Sequence, residues 1–339
     1  MKRLRVLVSG GTGFLGDQVR PLLSEFADVT LISRTRPGCL RADLSMWNGG
    51  IEPATLRGQF DVFLHMAGLY DLRVDRAEGF SQNIAGTHTA LAIAQAAEIP
   101  HFIHISTVAV TMNEKRHRVS LSPDALSSLG SWPDAYGESK AHAEKLVRNW
   151  TAPTLHSRLI LRLGILVGDS LEGRIQRIDG PYHAPERMKD LVSLLSSFPG
   201  PIPVPGRKDQ TLPLVPVDAA ARAIVNLMAL SRKEKWEGIK SLYIVSDKGP
   251  TAEELFRSTL RRLGVERDVQ ILSALPDWLA KQGAELIAKL PRQELDYLLG
   301  FPRFDLQPTL DALGESWCPP FASYEDAFWR GYEAYVSNR

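Results

Sequence analysis

The chain has 339 residues, 44% of them hydrophobic and 23% charged, with a formal net charge of +1. This is globular composition, long enough for one large domain or two interlocked ones, and its near-neutral charge gives no long-range reason to expect nucleic acid or an anionic membrane as partner. Two cysteines, Cys39 and Cys318, form neither a metal-ligand spacing nor a disulfide framework, and no apolar run is long enough to span a bilayer.

The first residues enter a strand pattern at once, without the apolar core and cleavage site of a secretion signal, so a cytoplasmic location is the expectation. Strand-like and helix-like segments then alternate. Residues 4–9 read as a buried strand and 14–26 as a helix. Residues 28–33 and 61–65 are strands, and 78–97 is a long helix. A strand over 101–106, a helix over 135–150 and a strand over 157–163 follow. This β-α-β alternation implies a parallel sheet covered by helices on both faces, a doubly wound α/β fold of the Rossmann type. Continuous apolar runs such as Val6-Leu7-Val8 fit strands buried on both sides.

After Gly168 the texture changes. Residues 173–186 and 199–213 are rich in Gly, Pro and charge and read as loops or a small second lobe. Residues 218–230 return to a helix with Asp218 as N-cap, 241–246 read as a late strand, and 278–290 as an amphipathic helix packed on the second lobe. The expected division is a cofactor domain over 1–168, completed by 213–247, and a substrate lobe over 169–212 and 248–339.

The first strand runs directly into Gly10-Gly11-Thr12-Gly13-Phe14-Leu15-Gly16. Glycines let backbone turn tightly and approach a ligand, and the helix that follows presents free N–H groups to phosphate. In this context the loop predicts a dinucleotide site. The end of the second strand selects the cofactor. A carboxylate there would hold the ribose 2′-hydroxyl of NAD, but Arg34 and Arg36 occur instead, and a guanidinium suits a 2′-phosphate. NADP is the expectation. Asp43-Leu44 follow a short segment where a carboxylate could meet the adenine amino group, with a surface Asp as the equal alternative. Ala67-Gly68 are small residues where the cofactor passes the sheet edge, and His65 reads as a scaffold residue.

Tyr136 and Lys140, four residues apart, share one helix face. An ammonium beside a phenol stabilises phenolate and lowers its pKa, making the pair a proton donor and acceptor for a substrate oxygen. Thr107 and Ser106 stand at a strand end and point to opposite faces.

Together with His65-Met66-Ala67-Gly68, Asn83-Ile84-Ala85-Gly86-Thr87 and Arg162-Leu163-Gly164-Ile165-Leu166-Val167-Gly168, these markers resemble the extended short-chain dehydrogenase/reductases, over about residues 1–250. The resemblance implies Thr107 as the catalytic hydroxyl, Tyr136 as acid/base and Lys140 as the residue that binds nicotinamide ribose and tunes Tyr136. It implies a cofactor site of Gly10, Thr12, Gly13, Phe14, Leu15, Gly16, Arg34, Arg36, Asp43, Leu44, Met66, Ala67, Gly68, Asn83, Ser106, Tyr136, Lys140, Leu163 and Ile165, with no metal. Gly68 stands where the family more often has Ala, an exchange read as sterically harmless.

The stretches 65–71 and 168–182 look like those of acyl-thioester reductases, including fatty acyl-CoA reductases of the male-sterility type. Sugar-nucleotide epimerases usually carry Pro where Leu163 stands and Tyr where Val167 stands. Dehydratases tend to have acidic residues where Val108-Ala109 follow the Thr. The expected activity is NADPH-dependent reduction of a small-molecule carbonyl, an acyl thioester or derived aldehyde or ketone, by a free-standing enzyme. Trp278, Leu279, Trp317, Phe321 and Phe328 are candidates for an apolar acyl tunnel, each with core packing as the simpler role. The alternatives are an epimerase or dehydratase, a 3-hydroxy or keto dehydrogenase of the same family, and a non-catalytic NADP sensor. A homodimer is compatible with the resemblance.

Overall fold

Alternate residues of the central strands serve two different cores, which is why runs such as Val6-Leu7-Val8 and Val62-Phe63-Leu64 are apolar without a break. In the computed structural model, which describes residues 3–71, 74–112, 120–126, 132–205, 207–208, 210–272, 297 and 301–338, seven strands form one parallel sheet. They are β1 (Leu4–Ser9), β2 (Ala27–Ser33), β3 (Leu40–Arg41), β4 (Val62–His65), β5 (His101–Thr107), β6 (Ser157–Leu163) and β7 (Gly238–Ile244), in the order β7-β6-β5-β4-β1-β2-β3. The main helices are α1 (Phe14–Ser24), α2 (Gly86–Ala96), α3 (Ala135–Asn149), α4 (Val217–Lys233), α5 (Ala252–Arg262) and α6 (Phe321–Ser337).

Val6 and Val8 of β1 pack with Leu64, Ile103 and Leu161 against α1 and α4, while Leu7 packs with Phe63, Phe102 and Ile160 against α2 and α3. The chain moves from β1 outward to β3 and then crosses to β4 on the other side of β1. That reversal opens a crevice beyond the carboxyl ends of β1 and β4. Ser9 is in register with both Ile32 and His65, so the glycine loop, Ser33 and Met66 all emerge at one edge.

The doubly wound α/β fold expected from the alternation is therefore present. Details differ. The predicted helix over 78–97 starts earlier, at Arg76, with Asp75 accepting from Glu78 N at 2.9 Å, and contains a π-helical stretch, Phe80–Ala85, before α2. Asp218 is not an N-cap. It lies inside the first turn of α4, after Pro216, and its carboxylate accepts from Ser170 N at 2.8 Å and Ser170 Oγ at 2.7 Å. The glycine- and proline-rich stretches hold short elements rather than plain loop. Gly180–Tyr182 and His183–Met188 are helical turns, and Ile202–Pro205 pairs with Val269–Leu272.

Two glycines, Gly173 and Gly331, fasten residues 168–173 to α6, and a third, Gly168, closes that segment on itself. Gly173 has φ +73°, and a Cβ there would lie 1.7 Å from Ala327 O. A Cβ on Gly331 would lie 1.6 Å, and one on Gly168 2.1 Å, from Gly173 O. Phe321 and Phe328 pack in a core with Tyr182, Leu212 and Leu255, and Trp317 packs beside α4. Phe321 and Phe328 are core residues, Trp317 is half-buried against one, and none of the three is part of the cavity wall. Trp278, Leu279 and the predicted helix over 278–290 lie outside the described residues. Among the described residues no helix is long and apolar enough to cross a membrane.

Candidate active site

A cavity of about 810 Å³ opens at the crevice, and its lining runs from the glycine loop to residues distant in sequence such as Leu212, Leu255 and Phe301. Gly10 has φ +74°, and a Cβ on it would fall 2.5 Å from Ala67 N, so the loop is pressed onto the end of β4. A Cβ on Gly16 would fall 2.5 Å from Gly10 O. Gly13 precedes α1 in extended conformation and supplies no side-chain cap, which leaves the first N–H groups of the helix for a ligand. This cradle fits a diphosphate.

Thr12, Gly13, Phe14, Leu15 and Gly16 all line the cavity, as do Met66, Ala67, Gly68, Leu163 and Ile165. At the outer end lie Arg34 and Thr35, with Asp43 and Leu44 beside them. Arg34 is exposed. The carboxyl of Asp43 is held below the usual carboxylate range by the hydrogen bond from Ser45 Oγ at 2.7 Å, and Arg34 adds to the effect. Arg36 is exposed but lies off the cavity wall.

Tyr136 and Lys140 reach the cavity because Asp134 starts α3 immediately before them. Its carboxylate accepts from Gly137 N at 2.7 Å. Thr107, at the end of β5, stands close enough to Tyr136 to hydrogen-bond the phenol. Its Oγ1 also accepts from Ala109 N at 3.2 Å. Ser106 turns the other way, donating to Glu144 Oε2 at 2.6 Å. The alternation along β5 thus brings Thr107, and not the hydroxyl of Ser106, to Tyr136.

Burial raises the Tyr136 pKa well above that of a free phenol, and the Thr107 hydrogen bond offsets only part of this. The lowering expected from the Tyr–Lys spacing is not found, since desolvation dominates. Lys140 Nζ donates to Ile105 O at 2.8 Å. Burial pushes its pKa down to about 8, opposed by Glu144. Gly68 is not an indifferent replacement for Ala. A Cβ there would lie 3.0 Å from Asn83 Oδ1 and 3.5 Å from Lys140 Nζ.

Asn83 does not line the cavity but braces its wall. Its Oδ1 accepts from Leu69 N at 2.8 Å and its Nδ2 donates to Ser139 Oγ at 2.9 Å. The π-helical stretch around it, an arrangement often found at functional sites, carries this side chain inward. His65 is a scaffold residue as expected, buried between Ser9 Oγ at 2.7 Å and Thr87 Oγ1 at 3.1 Å, with its pKa pushed by burial to about 3.

Residues to which sequence reading gave no role surround this group. Glu144, one turn past Lys140, is fully buried and meets Arg162 Nη2 at 2.7 Å and Arg148 Nη2 at 2.8 Å. Its i,i+4 spacing to both Lys140 and Arg148 was the available signal. Tyr70, Arg177, Asp179 and Tyr297 also line the cavity. Tyr297 lies far along the chain in a segment with no diagnostic pattern.

A parallel sheet with a glycine cradle and a Thr–Tyr–Lys group at its carboxyl edge defines an extended short-chain dehydrogenase/reductase. Residues 26–224 match the family model described as male sterility protein, and the chain belongs to that family. Among curated proteins it is similar to the 4-hydroxy-2-methyl-3-oxo-4-farnesyl-3,4-dihydroquinoline-1-oxide ketoreductase of Stigmatella aurantiaca, 33% identical over 162 residues. That match takes in 44% of this chain and 47% of the ketoreductase, about half of its length. The dTDP-glucose 4,6-dehydratase of Salmonella typhimurium is 27% identical over 257 residues, covering 65% of this chain and 67% of that enzyme. Among solved structures, the terminal R domain of the myxalamid PKS-NRPS pathway shares the fold with a TM-score of 0.75 and 22% identity, over 100% of this chain and 92% of that one.

Proposed function

We propose that the protein is an NADPH-dependent reductase of carbonyl compounds, with an acyl thioester or a derived aldehyde or ketone as substrate. The observation that carries this reading is the meeting of Thr107, Tyr136 and Lys140 on the wall of the same cavity as the glycine cradle. Residues 1–168 with 213–247 form the cofactor part in this reading, and 169–212 with 248–339 the substrate part. Arg34 at the outer end, with no carboxylate between Val29 and Gly38, supports NADP over NAD.

The cofactor supplies a hydride when bound. Thr107 and Tyr136 hold the carbonyl oxygen, which polarises the carbonyl and stabilises the developing alkoxide. Tyr136 carries its proton at neutral pH, as a phenol does and as burial further favours, and so can donate it to the forming alkoxide. Charged Lys140 then stabilises the phenolate that Tyr136 becomes. With a thioester, the hemithioacetal so formed releases thiol and leaves aldehyde.

Away from the glycine loop the cavity is lined by apolar residues, among them Val108, Ile175, Leu212, Leu255, Phe256 and Phe301, together with Gln176, Arg177, Asp179 and Thr259. This supports an apolar substrate. The ketoreductase relative is named for a farnesylated ring ketone. A second reading, an internal redox cycle on a sugar nucleotide, follows the dehydratase relative. The apolar wall favours the first.

The test is NADPH consumption with a panel of acyl-CoA thioesters, aldehydes and ketones. The expected result is oxidation by the wild type and loss of turnover in Tyr136→Phe with cofactor affinity retained. Failure with every carbonyl would remove the reductase reading, and full activity in Tyr136→Phe would remove Tyr136 from its role.

A further inference from the structure

Tyr70 lies in the cavity wall, 37% exposed, and among the described residues belongs to none of the hydrophobic cores. Two neighbours hold it instead. Its ring meets that of Tyr136 edge to face, with centroids 5.1 Å apart at 85°. The Arg177 guanidinium sits over it, 5.0 Å from the ring centroid, while Nη2 donates to Tyr70 O at 2.7 Å.

Arg177 is itself fixed. It pairs with Asp179 Oδ2 at 2.8 Å, and the other oxygen of Asp179 accepts from Gly180 N at 2.8 Å to start the turn over residues 180–182. Arg177, Asp179 and that turn come from the segment fastened to α6 by Gly173. Tyr297 also approaches this place, as a Cβ on Gly137 would lie 3.5 Å from its hydroxyl. A carbonyl oxygen held by Tyr136 therefore places whatever is bonded to the carbonyl carbon among aromatic rings.

We infer that Tyr70, clamped by Arg177, is a specificity-determining residue that selects substrates carrying a planar, unsaturated group next to the reacting carbonyl. This rests on the reductase reading for the position of the carbonyl. The physical argument is short. An aromatic surface rewards a flat partner through stacking or edge contact beyond the area it covers, and a ring already fixed by two neighbours loses little freedom when the partner arrives. A puckered saturated ring of the same carbon count matches the apolar area but not the shape.

The experiment compares two methyl ketones of equal carbon count, acetophenone and cyclohexyl methyl ketone. Their dissociation constants are measured by titration calorimetry in the presence of oxidised NADP, so that binding is read without turnover. The wild type is expected to bind the planar ketone more tightly, by roughly 3- to 10-fold. Tyr70→Leu should bring the ratio close to one, Tyr70→Phe should keep it, and Arg177→Met should reduce it by releasing the ring. An unchanged ratio in Tyr70→Leu, or no preference in the wild type, overturns the inference. If Tyr70→Leu shows no cooperative thermal transition, Arg177→Met decides: an unchanged ratio there overturns the proposal. NADPH oxidation is followed in parallel with the broader carbonyl panel. Its absence would sink the reductase reading, while the binding ratios would still decide the role of Tyr70.

Discussion

Lys140 shares a helix face with Tyr136, yet its ammonium donates to Ile105 O at 2.8 Å. Burial lowers its pKa to about 8 and Glu144 works in the opposite direction. In the proposed mechanism the charge that Lys140 carries below that value stabilises phenolate; above it the charge is lost. The kcat/KM for carbonyl reduction should therefore fall as pH rises through about 8. A pH profile flat across that range would show that the charge of Lys140 is not required. The pair was legible from its spacing, which puts both side chains on one helix face, together with the glycine loop and strand order around it. Its electrostatics were not, since the free-phenol argument counts a neighbouring charge and cannot count the desolvation that residues distant in sequence impose. The same limit applies to Gly68. In the sequence it is a small residue in place of another; in the fold its missing Cβ leaves room for Asn83 Oδ1 and Lys140 Nζ.

At the scale of elements, α3 owes its position to a buried charge cluster. Glu144 and Arg162 are both fully buried and meet at 2.7 Å, and Arg162 Nη1 donates to Tyr243 OH at 2.9 Å. This ties the Tyr–Lys helix to β6 and β7. Burial alone would raise the Glu144 pKa, but Arg162, Arg148 and Ser106 outweigh it and keep the carboxylate charged. Glu144→Gln leaves Arg162 buried without its counter-charge and should cost about 3–5 kcal/mol. A lowered urea midpoint at unchanged slope is the expected sign, and the double variant with Arg162→Met should recover part of the loss. Full stability in Glu144→Gln would show that the cluster does not hold α3. The strands and helices of the sheet were readable because their periodicity records burial directly. The π-helical stretch at Phe80–Ala85 was not, because an extra residue in a helix turn changes no composition and leaves the apolar spacing ambiguous. Asp218 failed as a predicted cap for a related reason. Its residue type suits a helix start, but the helix begins after Pro216, so Asp218 is its second residue and bonds Ser170 instead.

At the scale of the whole molecule, one cavity joins the sheet edge to segments far away in sequence. Glycine loop, β5 end and α3 contribute one side, and residues 175–184, Leu212 and α5 contribute the other. A ligand that fills it contacts both the sheet and the segment fastened to α6, so binding to the folded state should stabilise the entire chain. At a free concentration one hundred times its dissociation constant, a single ligand adds about 2.7 kcal/mol. For a chain of this length that corresponds to a rise in Tm of roughly 4 °C. NADP and NAD at equal concentration separate the two cofactors by the same logic. In the proposed reading the ring, ribose and diphosphate contacts would be common to both, and Arg34, which lines the cavity, would meet the extra phosphate. NADP should therefore raise Tm more than NAD, and Arg34→Leu should bring the two shifts together while leaving the NAD shift nearly unchanged. An equal or larger shift with NAD in the wild type would refute the assignment of NADP. A loss of both shifts in Arg34→Leu would mean that this arginine supports the loop and does not discriminate between the cofactors.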